Sequence, residues 1–311
     1  MDKRENNFIS AVVYIRNDED RLEDFIHLLN GWLSENFKKY EIIFVNDFSS
    51  DGSMEVIKRA AADLEGINVS VIHMSHFHGN EMAMSAGIDM SIGDFVYEFD
   101  SVIADYEPDV IRRIYDLALE GNDIVMACPD GRQRLTSRTF YYWFAKLSGQ
   151  NDGMRTERFR IISRRALNRV HSMNRNVSYR KAVYANCGLK TEQFLYTASD
   201  KGGHKEKEVT PYRMNLAMDS FILFTEAGYK IASRMTIGMM LVAFFCAVYT
   251  VGIFLTGNAM EGWTTTMLFL SFVFFGLFAI LTFVMKYLSV IVRLIFYKHN
   301  YNYESVEKIT G

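Results

Sequence analysis

Apolar runs and amphipathic segments alternate through the N-terminal part of the chain. Short apolar runs occur at 8–15, 40–47, 68–75, 94–100 and 123–129. Between them, apolar residues recur at helical spacing near 20–36, 53–64, 80–91 and 108–120, and two later helices are predicted at 133–148 and 160–170. Strands that alternate with helices predict an α/β fold with a mostly parallel sheet covered on both faces.

Polar loops follow the predicted strands. The stretches RNDED, NDFSSDGS, SHFHGNE and DSVIADYEP come after the first four apolar runs. In open parallel sheets, ligands bind beyond the carboxyl ends of the strands. The convergence of these loops therefore predicts a binding site at that edge of the sheet.

The C-terminal third contains two uncharged apolar runs, 236–255 and 264–285. Each is about as long as the roughly 20 residues that span a bilayer, although a pair of buried helices is the alternative. Basic residues flank the runs, namely Lys230, Arg234, Lys286, Arg293 and Lys298, whereas the short connecting loop carries only Glu261. This asymmetry predicts a multi-pass membrane protein with both ends in the cytoplasm. The amphipathic segment 213–234 predicts a helix lying along the membrane surface.

Composition excludes several classes of protein. The net charge of −3 gives no basic field for nucleic acid. Three scattered cysteines, Cys128, Cys187 and Cys246, indicate neither a disulfide framework nor a thiolate metal site. The N-terminal MDKRENNF lacks the apolar core of a secretory signal.

Several motifs resemble one enzyme family. VNDFSSDGS (45–53) resembles the V-D/N-D-G-S-x-D-G-S loop of inverting family 2 glycosyltransferases, which have the Rossmann-like GT-A fold. Residues 79–100 resemble the segment that leads to their metal-binding aspartates. Together with 134–148, 159–167 and the C-terminal runs, they resemble the polyprenyl-phosphate glycosyltransferases of the dolichol-phosphate-mannose-synthase type. The resemblance covers nearly the whole chain.

This resemblance implies transfer of a sugar from a UDP- or GDP-sugar to undecaprenyl or dolichyl phosphate at the cytoplasmic leaflet. A phosphate acceptor is already ionised at neutral pH, so positioning and charge neutralisation would provide most of the catalysis. The predicted organisation is a GT-A domain (1–210), a juxtamembrane helix (211–234), a transmembrane hairpin (235–289) and a cytoplasmic tail (290–311). Such hairpins can pack against copies of themselves, which allows a homo-oligomer.

Two alternatives remain at this point. The acceptor could be a hydroxyl of a lipid-linked glycan or cell-wall polymer, which would require a general base. Alternatively, the chain could be a non-catalytic membrane scaffold, because Phe48, Val102, Ala104 and Arg158 depart from the family pattern.

The resemblance also implies a nucleotide site. Asp47 matches the nucleotide-binding aspartate, although it could instead form an Asx-turn or cap a helix. The other residues implied to line this site are Tyr14, which replaces the usual proline, Asn17, Asp18, Gly79 and Asp100. Asp51 is predicted to cap the following helix. The pair His76 and His78 has metal-ligand chemistry but lacks a third ligand at suitable spacing.

The family binds Mg²⁺ or Mn²⁺ through a D-x-D motif with a later polar residue. Here Asp100 matches the first aspartate, but Val102 and Ala104 replace the other two positions. A hard cation can bind through one carboxylate with substrate phosphates, so Mg²⁺ or Mn²⁺ is predicted at Asp100 and Asp105, with Glu98 as another candidate. Metal-independent transfer is the alternative.

The remaining candidates concern the acid and the acceptor. The family usually has an aspartate just before an F-R pair, and Arg158 occupies that position here. Glu157, one residue earlier, is the candidate to replace that aspartate. The predicted catalytic residues are therefore Asp100, Asp105 and Glu157. The predicted acceptor-phosphate residues are Arg132, Arg134, Ser137, Arg138 and Lys207, with Lys205 as an alternate for the last. Arginine forks suit phosphate, although membrane-surface charge would explain the same cluster.

Overall fold

The computed structural model describes residues 4–62, 64, 66–130, 155–173, 180–199, seven positions between 234 and 245, 263–296 and 301–310. The chain forms two compact units. The first comprises 1–142, 153–216 and 298–311, and the second comprises 143–152 and 217–297. The candidate site lies in the first unit.

The first unit is built on one sheet. Its strands in the described residues are β1 (Ile9–Ile15), β2 (Tyr40–Asn46), β3 (Asn68–Met74), β4 (Phe95–Phe99), β5 (Ile124–Pro129), β6 (Phe159–Ser163), β7 (Thr191–Tyr196) and β8 (Tyr303–Thr310). Their spatial order is β7-β5-β6-β4-β1-β2-β3-β8. Strands β1 to β4 are mutually parallel, β5 is parallel to β7, and β6 and β8 run antiparallel to their neighbours. The prediction of an α/β fold with a mostly parallel sheet is confirmed.

Helices connect these strands. They are α1 (Glu19–Asn36), α2 (Ser53–Ala62), α3 (Asn80–Met90), α4 (Pro108–Leu119), α5 (Arg164–Met173) and α6 (Arg180–Asn186). The first four confirm the helices that the sequence periodicity predicts. Strand β1 is buried along its whole length, as expected for the centre of a sheet covered on both faces. A Cβ on Gly87 would clash with Val12 and Val45, so this glycine lets α3 lie close against β1 and β2.

One predicted helix is wrong at its start. Residues 160–170 were expected to be helical, but Phe159–Ser163 forms β6 and the helix begins at Arg164. The boundary has a local cause, because the Ser163 hydroxyl accepts a hydrogen bond from the Ala166 backbone N–H at 3.2 Å. Serine is a preferred residue for capping a helix in this way. The apolar residues before it are buried between β4 and β5.

The C-terminal residues add an edge strand that the sequence analysis did not anticipate. Strand β8 pairs antiparallel with β3. Glu307 on β8 forms an ion pair with Lys58 at 3.0 Å, and the Tyr301 hydroxyl donates to Asp89 Oδ2 at 2.6 Å. The end of the chain therefore completes one edge of the sheet.

The second unit contains α7 (Trp263–Phe296), which includes the second predicted apolar run. Within the described part of the chain, no helix has both the length and the hydropathy needed to cross a membrane. Most of the first apolar run and all of 133–148 and 213–233 lie outside the described residues. The predicted hairpin and domain boundaries stay predictions.

Candidate active site

Asp47 lies at the carboxyl end of β2 and is fully buried. Its Oδ1 accepts a hydrogen bond from the His78 backbone N–H at 2.8 Å. Its Oδ2 accepts from the Gly79 N–H at 2.8 Å and from the Tyr14 hydroxyl at 2.9 Å. Gly79 has a φ of 84°, which favours glycine, so it can present its N–H here at the start of α3. Neutral donors from β1 and from the loop after β3 thus hold this carboxylate.

Hydrogen bonds between side chains and backbone N–H groups join the loops after β1 and β2. Asp51 accepts hydrogen bonds from the N–H groups of Glu19 at 3.0 Å and Ser53 at 3.1 Å, the first residues of α1 and α2. In return, Glu19 Oε2 accepts from the Gly52 N–H at 2.9 Å. The predicted capping role of Asp51 therefore extends to two helices. Although burial raises the pKa of Asp51, hydrogen bonds from Ser53 and Glu19 lower it more, and the net pKa lies below its ordinary value.

These loops also present aromatic surface. Arg16 donates to the carbonyls of Asp47 at 2.7 Å and Phe48 at 3.1 Å, and its guanidinium lies 4.1 Å from the ring centroid of Phe77. Phe48 is 57 % exposed. Asn17 and Phe48 both adopt left-handed backbone conformations, with φ of 53° and 60°. Such conformations are uncommon for residues other than glycine and concentrate at functional sites.

Asp100 lies at the end of β4, on the other side of β1 from Asp47. Its Oδ1 accepts from Arg180 Nη2 at 2.6 Å, and its Oδ2 accepts from Arg160 Nη2 at 2.7 Å. Burial raises the pKa of Asp100, but the charges of Arg180 and Arg160 lower it more, so the carboxylate stays ionised. The two arginines are 2 % exposed and Asp100 is 24 % exposed.

A buried ionic cluster lies behind Asp100. Arg180 also binds Glu98 Oε2 at 2.5 Å and Glu81 Oε2 at 3.0 Å. Glu98 accepts a further hydrogen bond from the Tyr184 hydroxyl at 2.6 Å. Burial raises the pKa of Glu98, although the nearby arginines oppose this shift. The elements that meet here are β4, β6, α3 and α6.

The other two predicted catalytic carboxylates are also paired. Arg158 contacts both oxygens of Asp105, with its Nε 3.0 Å from Oδ1, and the Tyr196 hydroxyl donates to the same oxygen at 2.9 Å. Glu157 Oε1 lies 3.1 Å from Arg160 Nη2, and its side chain is buried. Glu98, Asp100, Asp105 and Glu157 therefore all have arginine partners.

The residues present do not fit a divalent cation well. Val102 is 2 % exposed and packs in the apolar core, with Ala104 against that core. Both predicted ligands, Asp100 and Asp105, are bound by arginines. Among the described residues, no group of three or more histidine, cysteine, aspartate or glutamate side chains could hold a metal ion. His76 and His78 stack with ring centroids 4.0 Å apart.

The structure brings together most of the predicted residues it describes. Tyr14 lies near the end of β1, and Asn17, Asp18, Asp47 and Gly79 lie in the loops after β1 to β3. Asp18 Oδ2 accepts from the Arg16 N–H at 3.0 Å, directly before α1. The predicted acceptor residues Arg132, Arg134, Ser137, Arg138 and Lys207, and also Lys205, lie outside the described residues.

Sequence reasoning missed Arg16, Arg160 and Arg180 as site residues. Arg160 belongs to the F-R pair after Arg158, which offered a usable signal. Arg180 lies at the start of the short helix α6, and its sequence neighbours give no sign that it reaches β4.

A match to a protein family gives the class of this enzyme. Residues 10–187 match the family described as Glycosyl transferase family 2, more than half of the chain. The chain belongs to glycosyl transferase family 2. The prediction of a glycosyltransferase is thereby confirmed.

Named relatives agree with this assignment. The chain is 27 % identical to an uncharacterized glycosyltransferase of Synechocystis sp., over 72 % of this chain and 71 % of that protein. It is 26 % identical to a prophage bactoprenol glucosyl transferase homolog of Escherichia coli, over 86 % and 88 %. It is 24 % identical to an undecaprenyl-phosphate 4-deoxy-4-formamido-L-arabinose transferase of Pseudomonas paraeruginosa, over 88 % and 81 %.

The fold resembles a mannosyltransferase from Pyrobaculum calidifontis solved with GDP-Man and Mn²⁺, with a TM-score of 0.52 and 14 % identity. The match covers 71 % of this chain and 64 % of that one, less than two thirds of its length. At this identity the likeness concerns the fold alone.

Proposed function

We propose that this chain transfers a sugar from a nucleoside-diphosphate donor, a UDP- or GDP-sugar, to a polyprenyl phosphate, with inversion at the anomeric carbon. A phosphate oxygen of the acceptor forms the new bond to that carbon, while the bond to the donor's diphosphate breaks. The acceptor oxygen is already ionised, so no proton moves in this step. The names of the Escherichia coli and Pseudomonas paraeruginosa relatives support a polyprenyl acceptor.

The observation that carries this proposal is the pairing of the carboxylates. A hydroxyl acceptor needs a carboxylate that is free to take its proton. Asp105 is held by Arg158 and Tyr196, Asp100 by two arginines, and Glu157 is buried beside Arg160. A phosphate acceptor needs no such base. This arrangement therefore favours the phosphate over the hydroxyl of a glycan or polymer.

The donor would occupy the edge between the loops after β1 to β4. Asp47 fixes the loop that carries His78 and Gly79. Exposed Phe48 offers an aromatic face to a nucleobase. The predicted Mg²⁺ or Mn²⁺ stays a prediction.

Membrane association belongs to the same proposal. Helix α7 exposes large apolar side chains, among them Phe272, Phe275 and Phe278. Basic residues flank the apolar runs, which supports an anchored protein with its catalytic unit and both ends in the cytoplasm. An acceptor embedded in the bilayer would then lie within reach of the catalytic unit. Self-association through the hairpin is compatible with this arrangement.

The test is a transfer assay with purified full chain in detergent. Undecaprenyl phosphate would be incubated with UDP- and GDP-sugars, and the lipid fraction would be analysed for a glycosylated product. We expect one donor to yield a sugar-phosphate lipid that requires the terminal phosphate of the acceptor. Equal product with undecaprenol, which carries a hydroxyl instead, would contradict the proposal.

A further inference from the structure

Asp100 occupies a position that a phosphate group would fit. It lies between the Nη2 atoms of Arg160 and Arg180, with one carboxylate oxygen bound to each. Arginine guanidinium groups bind carboxylate and phosphate oxygens with the same geometry. Asp100 is also more exposed than Glu81, Glu98, Glu157 and the two arginines. Any anion that approached this cluster from solvent would therefore meet Asp100 first.

Arg160 has hydrogen-bonding capacity that the described residues do not use. Its side chain is 2 % exposed, yet its Nε and Nη1 have no hydrogen-bond partner within the described ranges. The Nε lies 3.6 Å from Glu98 Oε2, beyond hydrogen-bond distance. Buried donors without partners are rare in folded proteins, and each one calls for an explanation. Here a bound anion would supply the missing acceptors.

The two guanidinium groups beside Asp100 disfavour a divalent cation there. Arg160 and Arg180 each bind one oxygen of Asp100. A dication at Asp100 would lie beside two guanidinium groups, and like charges at such distances repel.

From these observations we infer that Arg160 and Arg180 take the place of the divalent cation. The diphosphate of the donor displaces Asp100 from the two guanidinium groups, which then neutralise the leaving group. Sugar transfer therefore proceeds without Mg²⁺ or Mn²⁺. This inference rests on the proposed function, since it names what holds the donor at that same site.

The wild-type protein provides the first test. UDP and GDP would be titrated calorimetrically into the purified full chain with EDTA, Mg²⁺ or Mn²⁺ present. We expect the preferred nucleotide to bind with a Kd that changes by less than about threefold between these buffers. A Kd that is weaker by about tenfold or more in EDTA would overturn the inference and leave the proposed function standing. Absence of binding by either nucleotide in every buffer would overturn the proposed function itself.

Asp100→Asn gives a second test. Binding of the diphosphate by the arginines and binding through a metal ion at Asp100 predict opposite changes in the nucleotide affinity of this variant. If Asp100 competes with the diphosphate for the arginines, the variant binds the nucleotide in EDTA at least as tightly as wild type. If Asp100 is a metal ligand, binding weakens and the effect of Mn²⁺ disappears. Weakened binding by a variant whose thermal unfolding remains cooperative would therefore contradict the inference.

Arg160→Lys tests the contact with the diphosphate directly. Lysine keeps the positive charge but lacks the guanidinium group that can bind two phosphate oxygens at once. Binding of nucleoside diphosphate should therefore weaken by about tenfold, while binding of the monophosphate changes less. Arg165→Lys is the matched control, because Arg165 is exposed and pairs with Asp123 beyond the other end of β6. An unchanged ratio of diphosphate to monophosphate affinity in Arg160→Lys would overturn the inference. If that variant does not fold, the wild-type titration in EDTA still decides.

Discussion

Two carboxylates of the site, Asp47 and Asp100, directly follow the two strands that flank β1, yet they are held in different ways. Asp47 is fully buried and bound by two backbone N–H groups and a tyrosine hydroxyl. Asp100 is partly exposed and bound by two arginines that lie 60 and 80 residues further along the chain. Neutral donors from β1 and the loop after β3 fix Asp47 in place. The partners of Asp100 are charged and can accept another anion in its place.

The largest effect is expected from Arg180→Met, which breaks the ionic cluster behind Asp100. Arg180 is bound to Glu81, Glu98 and Asp100, and its removal leaves buried carboxylates without a counter-ion. Removing one partner of a buried ion pair lowers the free energy of unfolding by about 3–5 kcal/mol. Chemical denaturation of the purified chain in detergent would measure this change.

Arg59→Met provides the control for that experiment. Arg59 pairs with Glu23 at 2.6 Å, and both side chains are largely exposed. Exposed pairs contribute about 0–1 kcal/mol, so this variant should unfold almost like wild type. Equal destabilisation by the two variants would mean that the cluster around Asp100 has no special stabilising role.

Val102→Asp restores the missing aspartate of the D-x-D pattern and should cause the next largest loss of stability. Val102 packs in the apolar core, so a carboxylate there would be desolvated without a partner, and we expect a loss of about 3 kcal/mol. Val102→Ala, the control, should cost about 1–2 kcal/mol because only methyl groups are lost. A stable Val102→Asp variant that gains tight Mn²⁺ binding would show that this position faces the site.

The smallest effect on stability is expected from Asp51→Asn, in the loops around Asp47. The pKa of Asp51 is lowered in the folded state from an ordinary value of 3.8. A lowered carboxyl pKa stabilises the fold above that value, and this stabilisation is lost as the pH falls through the folded pKa. Asp51→Asn should therefore lower the free energy of unfolding by about 1 kcal/mol at pH 7 and by less near pH 2. Denaturation at both pH values measures it, and an equal loss at both would rule out a role for the charge.

The same contrast explains what the sequence could predict. The first five strands, the first four helices and the loop that carries Asp47 depend on local periodicity and on a contiguous motif, VNDFSSDGS. Asp51 was recognised as a helix cap because capping is also local. The surroundings of Asp100 depend on residues distant in the chain. They require β6 to insert antiparallel beside β4 and Arg180 to reach Glu98 from α6. The sequence periodicity instead predicts a helix over most of β6, so the F-R pair is the signal for Arg160, and the residues around Arg180 give no local signal.

The most direct test of the account is the transfer reaction itself, run with purified wild-type protein, undecaprenyl phosphate and the preferred nucleotide sugar in EDTA. The account predicts a glycosylated lipid phosphate, formed at a rate similar to that with Mn²⁺ and accompanied by one nucleoside diphosphate for each lipid product. The account would be contradicted if no glycosylated lipid formed in either buffer and nucleoside diphosphate were released equally with and without the lipid phosphate.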